Sequence, residues 1–206
     1  MKPGSHGVTS LHWPSTTEGI RPTTIVDVDG VLIRRVRPED VPDRPIRDRL
    51  NPMDGVERLE HVHASVIDVL STGKVRWTAV AVVNDALAAG ERVIVVTPSN
   101  STFVRALLDT LGLNHASVSV VEPGEGLRRD ESLAALLLDE PIDRSRARFY
   151  TTSAAPTLAA AGVRTVLVDP SPDSTARAAE MPGVSIVTWR NVEHPTVIAR
   201  ALGLSV

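Results

Sequence analysis

Short apolar runs alternate with longer segments of helical spacing along this chain of 206 residues. Five runs rich in β-branched residues predict strands at 24–28, 92–97, 117–121, 147–152 and 164–169. Between and after them, apolar residues recur every three or four positions and predict helices at 78–90, 101–112, 130–140 and 155–162. This alternation indicates an α/β fold, a Rossmann-like three-layer domain with a mostly parallel sheet.

Both ends of the chain depart from this rhythm. Residues 1–22 are rich in Gly, Pro, Ser and Thr and predict a flexible N-terminal arm, which leaves residues 23–206 as a single domain. Near the other end, residues 184–189 predict a further strand and residues 195–203 a closing helix.

The segment after the first predicted strand, residues 34–77, is expected to be an insertion. It begins with charged residues interrupted by prolines, and we expect it to end in two extended pieces around Ser71, forming a hairpin or flap. His61 and His63 would then share one face of a strand. They are candidates for part of a metal site, but two histidines without a third ligand favour plain flap surface.

Composition excludes several classes of function. Hydrophobic residues make up 42% of the chain, enough for a sizeable core, and the formal net charge of −3 does not favour nucleic-acid binding by bulk charge. The absence of cysteine excludes disulfides, thiolate metal sites and cysteine nucleophiles. No apolar stretch is long enough for a membrane span or has the form of a secretory signal, so we expect a cytoplasmic protein.

Polar residues stand where the first two predicted strands end. Asp27 and Asp29 follow the first strand, and Thr97 and Ser99 follow the second. Because the carboxyl ends of parallel strands share one edge of the sheet, these side chains should converge. Paired carboxylates bind a hard cation such as Mg²⁺, and hydroxyls at a helix start bind phosphate oxygens. The structural alternative is a simple strand exit, with Ser99 in an ordinary helix entry.

The stretch "VDVDGVL" resembles the first motif of the haloacid dehalogenase-like (HAD) superfamily, most of whose members are Mg²⁺-dependent phosphohydrolases. The resemblance implies that Asp27 is the nucleophile and Asp29 the general acid and base, with both contributing to the Mg²⁺ site. The stretch "VIVVTPS" is similar to the second motif, which implies that Thr97 binds phosphate. The stretch "GLRRDESLAALL" stands where the third motif belongs, making Arg128 the first choice for the neutralising cation and Arg129 the second.

The resemblance also implies a sheet with the strand order 5-4-1-2-3, but the fourth motif departs from the family pattern. The family ends its fourth strand with one or two acids, whereas this chain has Thr151 and Thr152. A hydroxyl is a weaker Mg²⁺ ligand than a carboxylate because it brings no charge. Either the Mg²⁺ site is weakened or another acid completes it. The candidates are Glu122, Asp139, Glu140 and Asp169.

Two functions follow from this resemblance. The first is Mg²⁺-dependent hydrolysis of a phosphomonoester through an aspartyl-phosphate intermediate. The alternative is a catalytically weakened or inactive HAD-fold protein with a binding or structural role.

The substrate expectation rests on the modest size of the insertion. A site without a large cap domain is open, which favours a large phosphorylated partner such as a protein or a nucleic-acid end. Residues 74–113 also resemble small HAD proteins, some of them linked to nucleic-acid end repair. Arg34, Arg35 and Arg37 would be the first contacts for a polyanion, although the mixed charges around them favour a solvated surface.

Overall fold

The computed structural model of the chain describes residues 21–34, 55–97, 101–113, 118–121 and 142–189. Within these ranges the strands are β1 (Thr23–Asp27), β2 (Arg92–Val96), β3 (Val118–Val121), β4 (Arg148–Thr151), β5 (Arg164–Val168) and β6 (Val184–Val187). They form one sheet in the order β3-β2-β1-β4-β5-β6, and every neighbouring pair is parallel. The predicted α/β class and strand order are confirmed, with β6 added beside β5.

Helices cover both faces of this sheet. They are α1 (Gly55–Ser71), α2 (Trp77–Ala88), α3 (Ser101–Thr110), α4 (Pro156–Ala160) and α5 (Pro172–Ala178). Helices α2, α3 and α4 confirm three sequence predictions to within a few residues at their ends. The predicted helices at 130–140 and 195–203, and residues 1–20 of the predicted arm, lie outside the described residues. None of the helices in the described part of the chain has the length and apolar character that crossing a bilayer requires.

Helix α1 corrects the prediction for residues 61–71, which were expected to be extended, whereas residues 35–54 of the predicted insertion lie outside the described residues. Val62, Val66 and Val69 are all buried, and their spacing of four and then three residues places them on one side of a helix. His61 and His63 lie two positions apart in α1, which turns them about 200° from each other around the helix. The shared strand face predicted for the two histidines is therefore wrong.

Alternate residues of the strands face two separate hydrophobic clusters. Val26 and Val95 point into a cluster that includes residues of α1, α2 and α3. Ile25, Ile94 and Phe149 point into a second cluster, which includes residues of α4. A parallel sheet buried on both faces leaves its strand ends as the natural places for polar chemistry.

A group of polar residues at the amino edge of the sheet links three strands. Thr24 donates a hydrogen bond from Oγ1 to Glu91 Oε2 at 2.6 Å. Arg148 Nη2 donates to both carboxylate oxygens of Glu91, at 2.6 and 2.8 Å. Burial alone would lower the pKa of Arg148, but the hydrogen bond to Glu91 and attraction to Tyr150 and Glu91 raise the pKa instead. In this amino-edge cluster (Thr24, Glu91 and Arg148), the guanidinium therefore neutralises the carboxylate, and the threonine hydroxyl hydrogen-bonds to it.

Candidate active site

Asp27 ends the central strand β1 and is completely buried. The Asp29 backbone N–H donates to Asp27 Oδ1 at 3.1 Å, and the Thr151 hydroxyl donates to Asp27 Oδ2 at 3.1 Å. One contact comes from the loop after β1 and the other from the end of β4. The Asp27 carboxylate is therefore held in a fixed orientation at the carboxyl edge of the sheet.

Asp29 lies two residues further on, half-buried in the loop after β1. Thr97, which directly follows β2 and is fully buried, donates from Oγ1 to Asp29 Oδ2 at 3.4 Å. The loop closes tightly, since the Gly30 N–H donates to the Ile33 carbonyl oxygen at 2.7 Å. The structure thus brings together Asp27, Asp29 and Thr97, the three residues that the first two sequence motifs singled out.

Gly30 allows this loop for two reasons. Its φ angle is +94°, in the left-handed region that glycine enters without steric cost. A Cβ atom at this position would also lie 2.7 Å from Thr152 Cγ2 and 3.0 Å from Thr152 Oγ1. A side chain at position 30 would therefore collide with the residue that follows β4.

Thr151 and Thr152 have separate environments, although they are adjacent in sequence. The Thr151 hydroxyl, which donates to Asp27, also accepts from the Ser153 N–H at 3.3 Å. Thr152 is buried against Gly30, and its hydroxyl has no hydrogen-bond partner within the described part of the chain. The fourth strand thus ends in two buried hydroxyls beside the aspartates, where the HAD resemblance implies acids.

The oxygen atoms at this edge are chemically suited to a hard divalent cation. Mg²⁺ is commonly held by one or two carboxylates, with waters and phosphate oxygens completing its shell. Asp27 and Asp29 can supply the carboxylates. No group of three Asp, Glu or His side chains that could hold a metal occurs among the described residues. The donor set therefore fits Mg²⁺, with fewer charged ligands than the HAD resemblance implies.

Asp169, one of the acids expected to complete the shell, has a different role in the structure. Its carboxylate forms an ion pair with Arg76 and accepts from the Trp189 backbone N–H at 3.0 Å. Sequence analysis missed this pair, because the partners are 93 residues apart and share no local pattern. Several other predicted residues lie outside the described ranges, namely Arg35, Arg37, Ser99, Glu122, Arg128, Arg129, Asp139 and Glu140.

Comparison with known proteins gives no match in sequence, since neither a family model nor a curated protein matches the chain. Similar solved structures do exist. A protein of unknown function from Bordetella pertussis Tohama I is 19% identical with a TM-score of 0.59, and the match covers 82% of this chain and 98% of that one. The HAD domain of the effector protein Lem4 from Legionella pneumophila is 10% identical with a TM-score of 0.51, and the match covers 85% and 89%.

At these identities the likeness concerns the fold and not the activity. The matches nevertheless span most of this chain and nearly the whole of the similar chains. The sheet order and the helices on both faces agree with the likeness. The chain therefore has the haloacid dehalogenase-like (HAD) fold.

Proposed function

We propose that this protein hydrolyses phosphomonoesters by the HAD route, with Asp27 as the nucleophile. The observation that supports this proposal most strongly is the meeting of Asp27 and Asp29 from β1 with Thr97 from β2, through a hydrogen bond of 3.4 Å between Thr97 and Asp29. In the HAD fold, this edge of the sheet is the place for ligands. A strand exit with no function would not need two acids and a buried threonine from separate strands.

Asp27 and Asp29 divide the chemistry between them. An Asp27 carboxylate oxygen attacks phosphorus, and the bond from phosphorus to the leaving oxygen breaks as the aspartyl-phosphate forms. Asp29 gives its proton to the leaving oxygen, then takes a proton from the water that attacks the aspartyl-phosphate. Phosphate leaves and the Asp27 carboxylate is restored. The Thr97 hydroxyl donates a hydrogen bond to a phosphate oxygen and so holds the group in place.

The cation would be held by Asp27 and Asp29, whose oxygen atoms fit Mg²⁺. When bound, Mg²⁺ offsets the negative charge between the nucleophile and the phosphate group. The hydrogen bonds from Thr151 and from the Asp29 N–H hold the Asp27 carboxylate in one orientation. Arg128 remains the proposed second source of positive charge.

The substrate that we propose is a phosphorylated macromolecule, either a protein or a nucleic-acid end. Support comes from the sequence, which has room for only a modest insertion between the first and second motifs. An open site admits a phosphate group carried on a large partner.

A second function, binding without turnover, is favoured by one observation. Thr151 and Thr152 occupy the end of β4, and the Thr151 hydroxyl binds Asp27. Hydroxyls add no charge to a metal shell, so this chain could keep the phosphate cleft while losing the reaction.

Hydrolysis of p-nitrophenyl phosphate in the presence of Mg²⁺ decides between the two functions. We expect Asp27→Asn to lower kcat by roughly a thousandfold or more, because the amide is not a nucleophile. The matched control is Asp143→Asn. Asp143 is also a buried aspartate, but it accepts the Ser145 N–H at 3.1 Å in the turn before β4, and this variant should keep the wild-type rate.

Equal rates for wild type and Asp27→Asn would remove Asp27 from the chemistry. A wild-type protein that is folded but shows no Mg²⁺-dependent hydrolysis would support the binding function.

A further inference from the structure

The buried hydroxyl of Thr152 lies beside the candidate active site. The residue is 6% exposed, and its Oγ1 atom makes no hydrogen bond to any residue that the structure describes. A buried hydroxyl without a partner is costly, so such groups usually serve a ligand or an ordered water. Thr152 packs on Gly30, the residue directly after Asp29, so its hydroxyl lies next to the loop that carries the general acid.

The neighbouring Thr151 hydroxyl shows how β4 meets the aspartates. It donates a hydrogen bond to Asp27 Oδ2 at 3.1 Å, and this donor carries no charge. A carboxylate in this region would instead add a negative charge and a strong cation ligand. The end of β4 therefore orients the carboxylate of Asp27 without adding to the charge that attracts a cation.

We propose that the phosphate group of the ligand supplies the anionic oxygen that Thr151 and Thr152 do not, so that Mg²⁺ and phosphate bind this site as a cooperative pair. The inference rests on the proposed function, because it places both ligands at Asp27 and Asp29. The Thr152 hydroxyl donates a hydrogen bond to the bound pair, either to a phosphate oxygen or to a water of the cation.

Electrostatics explains why each ligand needs the other. Phosphate alone meets the Asp27 carboxylate, which has the same sign of charge, and Mg²⁺ alone must exchange part of its hydration for the few charged oxygens at this edge. When both are present, the cation screens the carboxylates from phosphate, and phosphate oxygens complete the cation's shell. Coupling between two binding sites is reciprocal, so each ligand must strengthen the other by the same factor.

The test is a calorimetric titration of the wild-type protein with MgCl₂, with and without a fixed concentration of inorganic phosphate. We expect phosphate to lower the apparent Kd for Mg²⁺ by about tenfold or more, within the usual range for coupled sites. The reverse titration, phosphate with and without Mg²⁺, should give the same factor.

Two variants at position 152 locate the effect. Thr152→Asp adds the absent charge and should bind Mg²⁺ without phosphate, so that the coupling factor falls towards one. Thr152→Val keeps a methyl group against Gly30 but removes the hydroxyl, and should weaken binding of the pair several-fold.

The matched control is Thr165→Val. The Thr165 hydroxyl is also buried without a partner in the described part of the chain, but it lies near the amino end of β5. This variant should bind both ligands as the wild type does. Thermal unfolding of each variant shows whether it is folded, and if Thr152→Asp is not, the wild-type and Thr152→Val titrations decide.

The same Mg²⁺ affinity with and without phosphate would overturn the inference, as would wild-type binding by Thr152→Val. The first result would mean that a third acid completes the shell, with Glu122, Asp139 and Glu140 as the candidates. If phosphate does not change the Mg²⁺ affinity but hydrolysis still depends on Asp27, the inference fails and the proposed function stands. Coupled binding without hydrolysis would instead support the inference and contradict the proposed activity.

Discussion

The two ends of β1 carry similar side chains in different arrangements. At the amino edge, Thr24 and Arg148 both bind the Glu91 carboxylate, with contacts of 2.6 to 2.8 Å. At the carboxyl edge, hydroxyl groups meet the carboxylates of Asp27 and Asp29 over 3.1 to 3.4 Å. One cluster joins a carboxylate to a guanidinium, and the contacts described in the other come from uncharged donors.

This difference separates a structural cluster from a candidate site. An acid matched by an internal cation is satisfied by the protein itself, and the amino-edge cluster ties β1, β2 and β4 together. At the opposite edge, two acids converge where strands end and receive hydrogen bonds from hydroxyls. Such an edge is suited to a cation and to the phosphate group that the cation brings.

Gly30→Ala should cause the largest loss of stability, because the carboxyl edge requires a conformation and a space that only glycine provides. The new methyl group meets Thr152 Cγ2 at 2.7 Å, at a φ angle of +94°. We expect the free energy of unfolding to fall by about 2–4 kcal/mol, from overpacking and backbone strain together. Chemical denaturation measures this change.

The control is Gly162→Ala, since Gly162 has a φ angle of +84° but nothing within 4 Å of its added Cβ. It should cost only the backbone strain, about 1–2 kcal/mol. Adding Thr152→Ser to Gly30→Ala removes the Cγ2 atom and should recover part of the loss. Equal costs at the two glycines would contradict the close packing between the loop and Thr152.

Arg148→Met should have a smaller effect, at the amino edge. It leaves the Glu91 carboxylate without its guanidinium, but the Arg148 side chain is 38% exposed, so water screens the pair. We expect a loss of about 1 kcal/mol in the free energy of unfolding, with no change in kcat for phosphomonoester hydrolysis.

Arg164→Met is the control at the same edge, because Arg164 pairs in register with Arg148 on the neighbouring strand and is exposed. It should change stability by no more than about 0.5 kcal/mol. A fall in kcat for Arg148→Met, with stability unchanged, would reverse the roles assigned to the two edges.

Local patterns were enough to predict the sheet and the first two motifs. β-branched runs predicted the strands, and the position of Asp27, Asp29 and Thr97 at strand ends predicted that they would converge. Helix α1 was missed because its valines are β-branched, which favours strands, although the spacing of Val62 and Val66 already indicated a helix face.

Contacts between distant parts of the chain could not be predicted in the same way. Thr151 and Asp27 are 124 residues apart, and their hydrogen bond depends on β4 lying beside β1. The Arg76–Asp169 ion pair likewise joins the start of α2 to the end of β5. Sequence identified the threonines as a departure from the HAD pattern, but only the structure shows that Thr151 binds Asp27 and Thr152 lies against Gly30.

A crystal structure of the protein with Mg²⁺ and orthovanadate, a mimic of the phosphoryl group in transfer, is the most direct test of the central claim. We predict vanadate within hydrogen-bonding distance of the Thr97 hydroxyl and in contact with Asp27, with Mg²⁺ between the aspartates and the anion. Vanadate bound elsewhere, or Asp27, Asp29 and Thr97 directed into separate spaces, would contradict the claim.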